Sequence, residues 1–163
     1  MGTSDPFYFP WHKKLAYNLD PFLYKKRDIN ALSIAETQAP LIYYYLERIN
    51  IKFNEIKTFD FCDQESKLTK YMTDEGFKKI SNQMHIKGDF NNQLTKFNDA
   101  TFDFVTAFRC TPYMEKPEDF FKEIYRLLKP GGVLIVDWVN GFSDFPLLDL
   151  GFCWNNGDAD IFN

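Results

Sequence analysis

The side chains that most often act as nucleophiles, general bases or metal ligands are few in this chain and widely separated. Its three cysteines are Cys62, Cys110 and Cys153, and its two histidines are His12 and His85. None of them shows CxxC or any other metal-ligand spacing. With two histidines, the chain has few residues for a histidine-rich metal site or for the triad of a Ser–His–Asp hydrolase. No metal ion is expected. Reduced thiols in an intracellular protein are the simplest account of the cysteines.

Two further positions are candidates because of where they stand in the predicted elements. Cys110 lies in Arg109-Cys110-Thr111-Pro112-Tyr113, directly after a predicted strand. No motif places a histidine beside Cys110, so a buried or half-buried thiol is favoured over a nucleophile. Asp137 lies late in another predicted strand, near the end where doubly wound sheets bind ligands. We therefore keep Asp137 as a candidate functional residue.

The elements that must position these residues are clearest in one strand–helix–strand unit. Phe102 to Phe108 is an apolar run of the length of a buried strand. Pro117 suits the first turn of a helix, and apolar residues then recur at helical spacing. Lys129-Pro130-Gly131-Gly132 ends that helix, and Val133 to Val139 predicts a strand covered on both faces. This spacing indicates a right-handed βαβ unit.

Shorter patterns predict the elements that precede this unit. Ser33-Ile34-Ala35-Glu36 has the spacing of a capping box and predicts a helix start. Pro40 interrupts this helix, which continues from Leu41 to Ile49. Ile56 to Cys62 predicts the first strand of the sheet, and Met84 to Lys87 predicts a brief later strand.

Length and composition indicate one globular domain. The chain has 163 residues, of which 45% are hydrophobic, and this is enough to bury a core. Residues 1–30 are rich in proline and aromatic side chains and predict an ordered N-terminal arm. Residues 31–163 are predicted to form a single α/β domain with a Rossmann-like, mostly parallel sheet and flanking helices.

Charge argues against several classes of partner. The net charge is −4 and there is no long basic run, so nucleic-acid binding is not expected. Five bases fall within residues 12–27 and five aspartates within residues 137–163. Solvated surface is favoured over a docking site for both clusters.

No apolar segment approaches the length of a transmembrane helix, and the start of the chain lacks a signal-peptide pattern. A cytoplasmic location is expected, and an organelle is left open.

Two motifs carry a resemblance to a known family. The stretch Asp99-Ala100-Thr101-Phe102-Asp103-Phe104-Val105, followed by Lys129-Pro130-Gly131-Gly132, resembles the second half of class I S-adenosylmethionine-dependent methyltransferases of the methyltransferase-type-11-like group. In that family strand 4 begins with an Asp, and strand 5 follows a Lys-Pro-Gly-Gly turn. The resemblance implies a Rossmann-like fold, S-adenosylmethionine as cofactor, and a glycine-rich loop after strand 1 that lies close to the cofactor.

The segment after the predicted first strand departs from this pattern. Asp60 matches the acidic position of the family, but Cys62, Gln64 and Ser66 occupy the three glycine positions. Each of the three adds a Cβ where the backbone must approach the cofactor. Asp63 adds a negative charge near the expected place of the methionine carboxylate, where like charges repel. The cofactor-binding half is therefore predicted to be degenerate.

The resemblance is incomplete in two further places. Asp89 resembles the acidic residue after strand 3 that contacts adenine in this family. Asp89 follows Asp60 by only 29 positions, and no convincing second strand with its ribose-binding acid is predicted between them. Only 24 residues follow Val139, so the two strands that the family adds after strand 5 are expected to be absent. Strand 5 is then an apolar edge that needs a cover.

Two functions follow from these observations. The leading one is a trimmed, degenerate methyltransferase fold that is non-catalytic, needs no cofactor, and acts through contacts with another protein chain as a subunit or pseudoenzyme partner. The alternative is an active S-adenosylmethionine-dependent methyltransferase that acts on a small molecule or a protein. In that case the cofactor-binding residues are Asp60, Asp63, Gln64 and Asp89, and the substrate-facing residues are Arg109 and Tyr113.

Overall fold

The computed structural model describes residues 8–24, 26, 28–36, 41–61, 80, 82–108 and 110–136. Within them the elements follow in the order α1 (Tyr8–Leu23), β1 (Ile29–Ile34), α2 (Leu41–Arg48), β2 (Phe53–Asp60), β3 (Gln83–Lys87), β4 (Phe102–Ala107), α3 (Pro117–Leu127) and β5 (Leu128–Val136). Short 3-10 turns cover Leu94–Lys96 and Thr111–Tyr113. No helix in this part of the chain is long and apolar enough to cross a membrane.

The strands form one parallel sheet in the order β3-β2-β1-β4-β5. β1 lies at the centre, where Leu32 is opposite Lys57 of β2 on one side and Val105 of β4 on the other. The predicted α/β class and Rossmann-like sheet are confirmed. The predicted βαβ unit is confirmed as well, since β4, α3 and β5 follow one another and β4 pairs with β5 in parallel.

Two hydrophobic clusters cover the two faces of this sheet. Phe104 of β4 packs in the cluster that includes residues of α1 and α2. Its neighbours Phe102 and Val105 pack in the other cluster, with Phe120 and Ile124 of α3. Because both faces are buried at the centre of the sheet, β1 and β4 are mostly apolar, whereas β2 and β3 towards its edge contain more polar residues.

The N-terminal segment contributes to the first of these clusters. Residues 8–23 of the predicted arm form helix α1, and Leu15, Ala16 and Leu19 are buried against the same core as α2. The aromatic segment is therefore packed on the domain through a helix. The proposed division of the chain at residue 30 stays a prediction.

The predicted identity of the first strand is wrong. Ile29–Ile34 forms the central strand β1, although Ser33 predicts a helix start there, and Phe53–Asp60 is the second strand β2. The capping-box spacing is present, but the Ser33 hydroxyl donates to the Glu36 side chain at 2.6 Å within a strand end. Burial of Ile29, Ala31, Leu32 and Ile34 on both faces of the sheet outweighs the local helix signal. The predicted lack of a second strand is therefore also wrong.

The position of the Lys-Pro-Gly-Gly segment also differs from the prediction. It does not precede the strand but lies inside β5, which begins directly after α3. The pairing shifts there, since Phe102 is opposite Leu128 while Phe104 is opposite Val133. The additional residues are accommodated as an irregularity, with Gly131 at a φ of 73°. The predicted cover over β5 stays a prediction, because residues 137–163 lie outside the described part.

Candidate functional site

All strands of a parallel sheet end at the same edge, and this edge brings the candidate residues together. Ile34, Asp60, Lys87 and Ala107 are the last residues of β1, β2, β3 and β4. The chain proceeds from β1 towards β2 and β3 on one side, whereas β4 lies on the other side of β1. Open α/β sheets bind ligands outside the carboxyl ends of their strands, at such a reversal of strand order. The candidate site therefore lies above β1 and β4 and extends over β2 and β3.

Two of the predicted cofactor residues stand side by side at this edge. Asp60 is the half-buried last residue of β2, and Asp89 follows β3 after Gly88. The Gly88 N–H donates to the Asp60 carbonyl at 2.9 Å, which joins the two strand ends. A Cβ at Gly88 would lie 2.4 Å from Phe59 Cζ, so only glycine allows this approach. The two acidic residues thus lie at the ends of neighbouring strands.

The Asp89 carboxylate organises the loop in which it lies. Its Oδ1 accepts from the Asn91 N–H at 2.9 Å, and its Oδ2 accepts from Asn92 Nδ2 at 3.1 Å. The Asp89 carbonyl accepts from the Gln93 N–H at 2.9 Å. Each carboxylate oxygen can accept a second hydrogen bond, so Asp89 retains capacity for a ligand while its own position is set by the loop.

The corrected strand order moves the expected glycine-rich loop to residues 35–40, which follow β1. These residues contain no glycine. Ala35 takes a positive φ of 64°, a conformation that favours glycine, and its N–H donates to the Phe59 carbonyl at 2.9 Å. Cys62, Gln64 and Ser66 come after β2, so the prediction that they stand in the glycine loop is wrong. Asp60 correspondingly takes the place of the acid that ends the second strand.

A buried polar network at the ends of β1 and β4 was not predicted. Glu36 is 1% exposed, and its Oε2 accepts from Ser33 Oγ at 2.6 Å and from Thr106 Oγ1 at 3.2 Å. The Tyr43 hydroxyl lies 3.2 Å from both Thr106 Oγ1 and the Leu32 carbonyl. Burial raises the pKa of Tyr43 well above its usual range; the Thr106 hydrogen bond opposes this shift and the charge of Glu36 adds to it. Polar residues inside otherwise apolar strands, Ser33 and Thr106, were the available signal.

The segment after β4 presents one predicted substrate-facing residue. Tyr113 is 64% exposed in the 3-10 turn, while Cys110 is fully buried, as predicted for an unreactive thiol. Asn91 contacts this segment from the loop after β3, because its Nδ2 donates to the Tyr113 carbonyl at 3.1 Å and its Oδ1 accepts from the Glu115 N–H at 3.0 Å. The two loops are therefore joined across the site.

Other predicted residues contribute less or lie elsewhere. The half-buried His85 of β3 has its Nδ1 2.9 Å from the hydroxyl of Thr58, a buried residue of β2. The described residues hold no group of three or more His, Cys, Asp or Glu that could bind a metal ion. The following lie outside the described part of the chain: Cys62, Asp63, Gln64, Arg109, Asp137 and Cys153.

Two cavities in the described residues lie at the opposite edge of the sheet. One of about 330 Å³ is lined by Leu23, Lys26 and Lys52, close to the starts of β1 and β2. The other is an open groove lined by Glu55 and Gln83, near the starts of β2 and β3. Neither touches the carboxyl ends of the strands, so neither belongs to the candidate site.

Comparison with known sequences finds a methyltransferase family and sterol methyltransferase relatives. A family described as a methyltransferase domain matches residues 44–136, more than half of the chain. A sterol 24-C-methyltransferase of Eremothecium gossypii is 50% identical over 56 residues, which are 34% of this chain and 14% of the relative. The corresponding protein of Aspergillus fumigatus is 40% identical over 78 residues, 47% of this chain and 19% of the relative. The matched stretch thus spans under a fifth of the length of these relatives.

Solved structures share the fold at low sequence identity. A SAM-dependent methyltransferase from Aquifex aeolicus superposes with a TM-score of 0.57 at 20% identity, covering 94% of this chain and 82% of that protein. The trans-methyltransferase CalH in complex with SAH gives a TM-score of 0.63 at 14% identity, covering 92% of this chain and 43% of that protein. These similarities establish the architecture of the sheet and its helices.

Proposed function

We propose that this chain, which belongs to the methyltransferase domain family, binds S-adenosylmethionine over the carboxyl ends of β1 to β4 and transfers its methyl group to an acceptor. The placement of Asp60 at the end of β2, beside Asp89 after β3, carries this proposal. In the family that the sequence resembles, an acid that ends strand 2 binds the ribose hydroxyls and an acid after strand 3 contacts adenine. Because Asp60 ends β2 and Asp89 follows β3, we propose the first role for Asp60 and the second for Asp89.

The residues that are present suit a nucleoside. A carboxylate has two oxygens, so Asp60 can accept from two adjacent hydroxyls at once. It is half-buried, which strengthens such bonds relative to those in open water. Because Gly88 has no Cβ, it can lie directly against the Phe59 ring, and it thereby lets the Asp89 turn lie against β2. The bound cofactor supplies an electrophilic methyl group on a sulfonium; the carboxylates position and do not react.

The electrostatics of the site also favour a cationic cofactor. Three acids, Glu36, Asp60 and Asp89, lie at the same edge of the sheet, together with the exposed base Lys87 that ends β3. Opposite charges attract more strongly at a partly desolvated site than in water. A sulfonium with its neighbouring ammonium group is therefore better matched to this edge than an uncharged or anionic nucleoside.

Calorimetric titration with S-adenosylhomocysteine and S-adenosylmethionine tests the proposal. We expect the wild-type chain to bind at micromolar strength, and Asp60→Asn to bind at least about tenfold more weakly because hydrogen bonds to a charged group contribute about 1.5–3 kcal/mol. Glu55→Gln is a matched control, since Glu55 is a carboxylate on the same strand at its other end, paired with Lys57 at 3.1 Å. Equal weakening by both variants would contradict the assigned role of Asp60.

A non-catalytic function is the second candidate, and one observation favours it. The segment after β1 has no glycine, and its Glu36 is buried at the reversal of strand order. Under this alternative the protein keeps the fold and acts through contacts with another protein chain. Absence of binding by the wild-type chain at millimolar S-adenosylmethionine and S-adenosylhomocysteine, with the folded state intact, selects this candidate.

The acceptor is proposed from the relatives. Because local identity to sterol 24-C-methyltransferases reaches 50%, we favour a sterol-type carbon acceptor over an amine. Tyr113, which is 64% exposed after β4, and Arg109 are the proposed substrate-facing residues, and Asp63 and Gln64 remain proposed cofactor contacts. Incubation with methyl-labelled S-adenosylmethionine and either a sterol or a small amine distinguishes the two classes. Label recovered only in the amine contradicts the sterol assignment.

Partner and location also remain proposals. A second protein chain is proposed to cover the β5 edge, and sedimentation of the purified protein measures whether it associates with itself. An intracellular location is retained from the cysteine pattern.

A further inference from the structure

The side chain of Asn91 joins the two loops that flank the candidate site. We propose that Asn91 is a positioning residue that couples ligand binding at Asp89 to the ordering of residues 111–115, the segment that carries Tyr113. The inference rests on the proposed function, since it takes Asp89 as a cofactor contact. It adds a regulatory property to that function: cofactor binding prepares the acceptor side of the site.

The contact to the second loop has a defined geometry. Asn91 Nδ2 donates to the Tyr113 carbonyl at 3.1 Å, and Asn91 Oδ1 accepts from the Glu115 N–H at 3.0 Å. The reversed amide would place oxygen against carbonyl oxygen and NH₂ against N–H, so this orientation alone satisfies both partners. One side chain therefore holds the backbone on both sides of Met114.

The other end of the connection begins at Asp89. The Asn91 N–H donates to Asp89 Oδ1 at 2.9 Å, so the carboxylate sets the backbone position of Asn91. The Gly88 N–H in turn donates to the Asp60 carbonyl at 2.9 Å. A ligand that restrains Asp60 and Asp89 therefore restrains Asn91 and, through its side chain, residues 113–115.

The segment that is held is packed on the core through Met114 and is otherwise largely exposed. Within its own turn, the Tyr113 N–H donates to the Cys110 carbonyl at 2.9 Å, and the Met114 N–H donates to the Thr111 carbonyl at 3.3 Å. The side chains of Pro112, Tyr113 and Glu115 are exposed. Segments with exposed backbone hydrogen bonds and few buried contacts open locally at low free energy. A contact from outside the segment can therefore change how often it opens.

Amide hydrogen exchange of residues 111–115, with and without S-adenosylhomocysteine, tests the coupling directly. In the wild-type protein we expect saturating S-adenosylhomocysteine to slow exchange of the Glu115 amide by at least about fivefold, the low end of allosteric couplings. In Asn91→Ala we expect this slowing to be lost, while calorimetry gives a dissociation constant within about threefold of the wild-type value.

Two further variants separate the coupling from general damage to the loop. Asn91→Asp retains the shape and the acceptor for Glu115 but loses the donor to Tyr113, so we expect partial loss of the slowing. Asn92→Ala is the matched control, because Asn92 Nδ2 also donates to Asp89 at 3.1 Å but, unlike Asn91, does not join that loop to residues 111–115. It should keep the slowing in full.

The outcomes distinguish this inference from the proposed function. Binding of S-adenosylhomocysteine without any change in exchange at residues 111–115 overturns the coupling and leaves the proposed function intact. Slowing that persists in Asn91→Ala also overturns it. Absence of binding by the wild-type protein overturns the proposed function and, with it, this inference.

Discussion

Lys129 Nζ donates to Asp103 Oδ2 across 2.7 Å, and the same oxygen accepts from the Asn30 N–H at 3.0 Å. One carboxylate therefore ties β1, β4 and β5 together at the end of the sheet that is opposite to the candidate site. The Asp103 side chain is only 14% exposed, so these bonds are partly shielded from water. The Asp and Lys of the two motifs that mark the family are thus structural in this chain.

Replacing Asp103 with Ala should lower the free energy of unfolding by about 1–3 kcal/mol, because the Asn30 N–H and the Lys129 ammonium lose their acceptor. Urea denaturation measures this difference. Asp119→Ala is the control, since Asp119 pairs with Lys122 at 3.8 Å on the exposed face of α3 and should change stability by less than about 0.5 kcal/mol. Equal losses in the two variants would show that Asp103 has no special structural role.

Arg126→Lys should also destabilise the fold. The guanidinium donates to the carbonyls of Phe97 at 2.9 Å and Leu94 at 3.3 Å and to Glu123 at 2.8 Å, and its hydrogen bonds to the carboxylates of Glu123 and Asp99 raise its pKa. Lysine cannot form this fork, so we expect a loss of about 1–3 kcal/mol in urea denaturation.

Lys122→Arg serves as the reciprocal control for that measurement, because its side chain is 75% exposed. It should stay within about 0.5 kcal/mol of the wild type. If Arg126→Lys is as stable as the wild type, a single ammonium is a sufficient donor for the carbonyls of Leu94 and Phe97 in the loop between β3 and β4.

Gly88→Ala should reduce both stability and cofactor affinity. The added Cβ would lie 2.4 Å from Phe59 Cζ and 2.8 Å from Gln93 Oε1, so the Asp89 turn must move. Overpacking of this kind costs about 1–3 kcal/mol. Thermal unfolding and calorimetry with S-adenosylhomocysteine measure the two effects.

Gly131→Ala provides the contrast, because Gly131 has a φ of 73° and a Cβ added there would meet no described atom within 4 Å. It should cost about 1–2 kcal/mol through its backbone conformation and leave the dissociation constant unchanged. If both variants bind S-adenosylhomocysteine equally well, the close contact between Gly88 and Phe59 does not set the position of Asp89.

Stability should fall above about pH 10 because of Tyr43. Burial raises the pKa of Tyr43 in the folded protein above the unfolded value of about 10. The contribution of Tyr43 is therefore fully present below pH 10 and is lost as the pH rises towards the folded pKa. In that range the unfolded state releases the proton and the folded state does not, so the slope approaches about 1.4 kcal/mol per pH unit.

Urea denaturation of the wild type and Tyr43→Phe between pH 8 and pH 11 checks this prediction. At pH 8 the variant should be less stable by about 1 kcal/mol, since it loses the hydrogen bonds of the hydroxyl. Above pH 10 the difference between the two proteins should shrink. A constant difference across the whole range would mean that Tyr43 ionises normally in the fold.

The elements that the sequence predicts well are those with strong local signals. The apolar run predicts β4 at Phe102 to Phe108, and the strand is observed at Phe102–Ala107; α3 begins at Pro117, as its position in a first turn indicates. The βαβ unit closes within 35 residues of chain, from Phe102 to Val136, so its pairing follows from short-range order. Asp89 is predicted in the turn after Met84 to Lys87 and is observed after β3, whereas Asp60 is predicted inside a first strand and is observed as the last residue of β2.

The sequence by itself determined the α/β class, the unit of β4, α3 and β5, and the place of Asp89 in the turn after Met84 to Lys87. Only the tertiary structure decided that Ile29–Ile34 is the first strand and that Asp60 therefore ends the second. The physical reason is the sequence distance between paired residues. Leu32 is held in the sheet by strand pairing with Lys57 and Val105, which are far from it along the chain. Burial on both faces makes such a strand look like any short apolar run, and only its distant partners distinguish it from a helix.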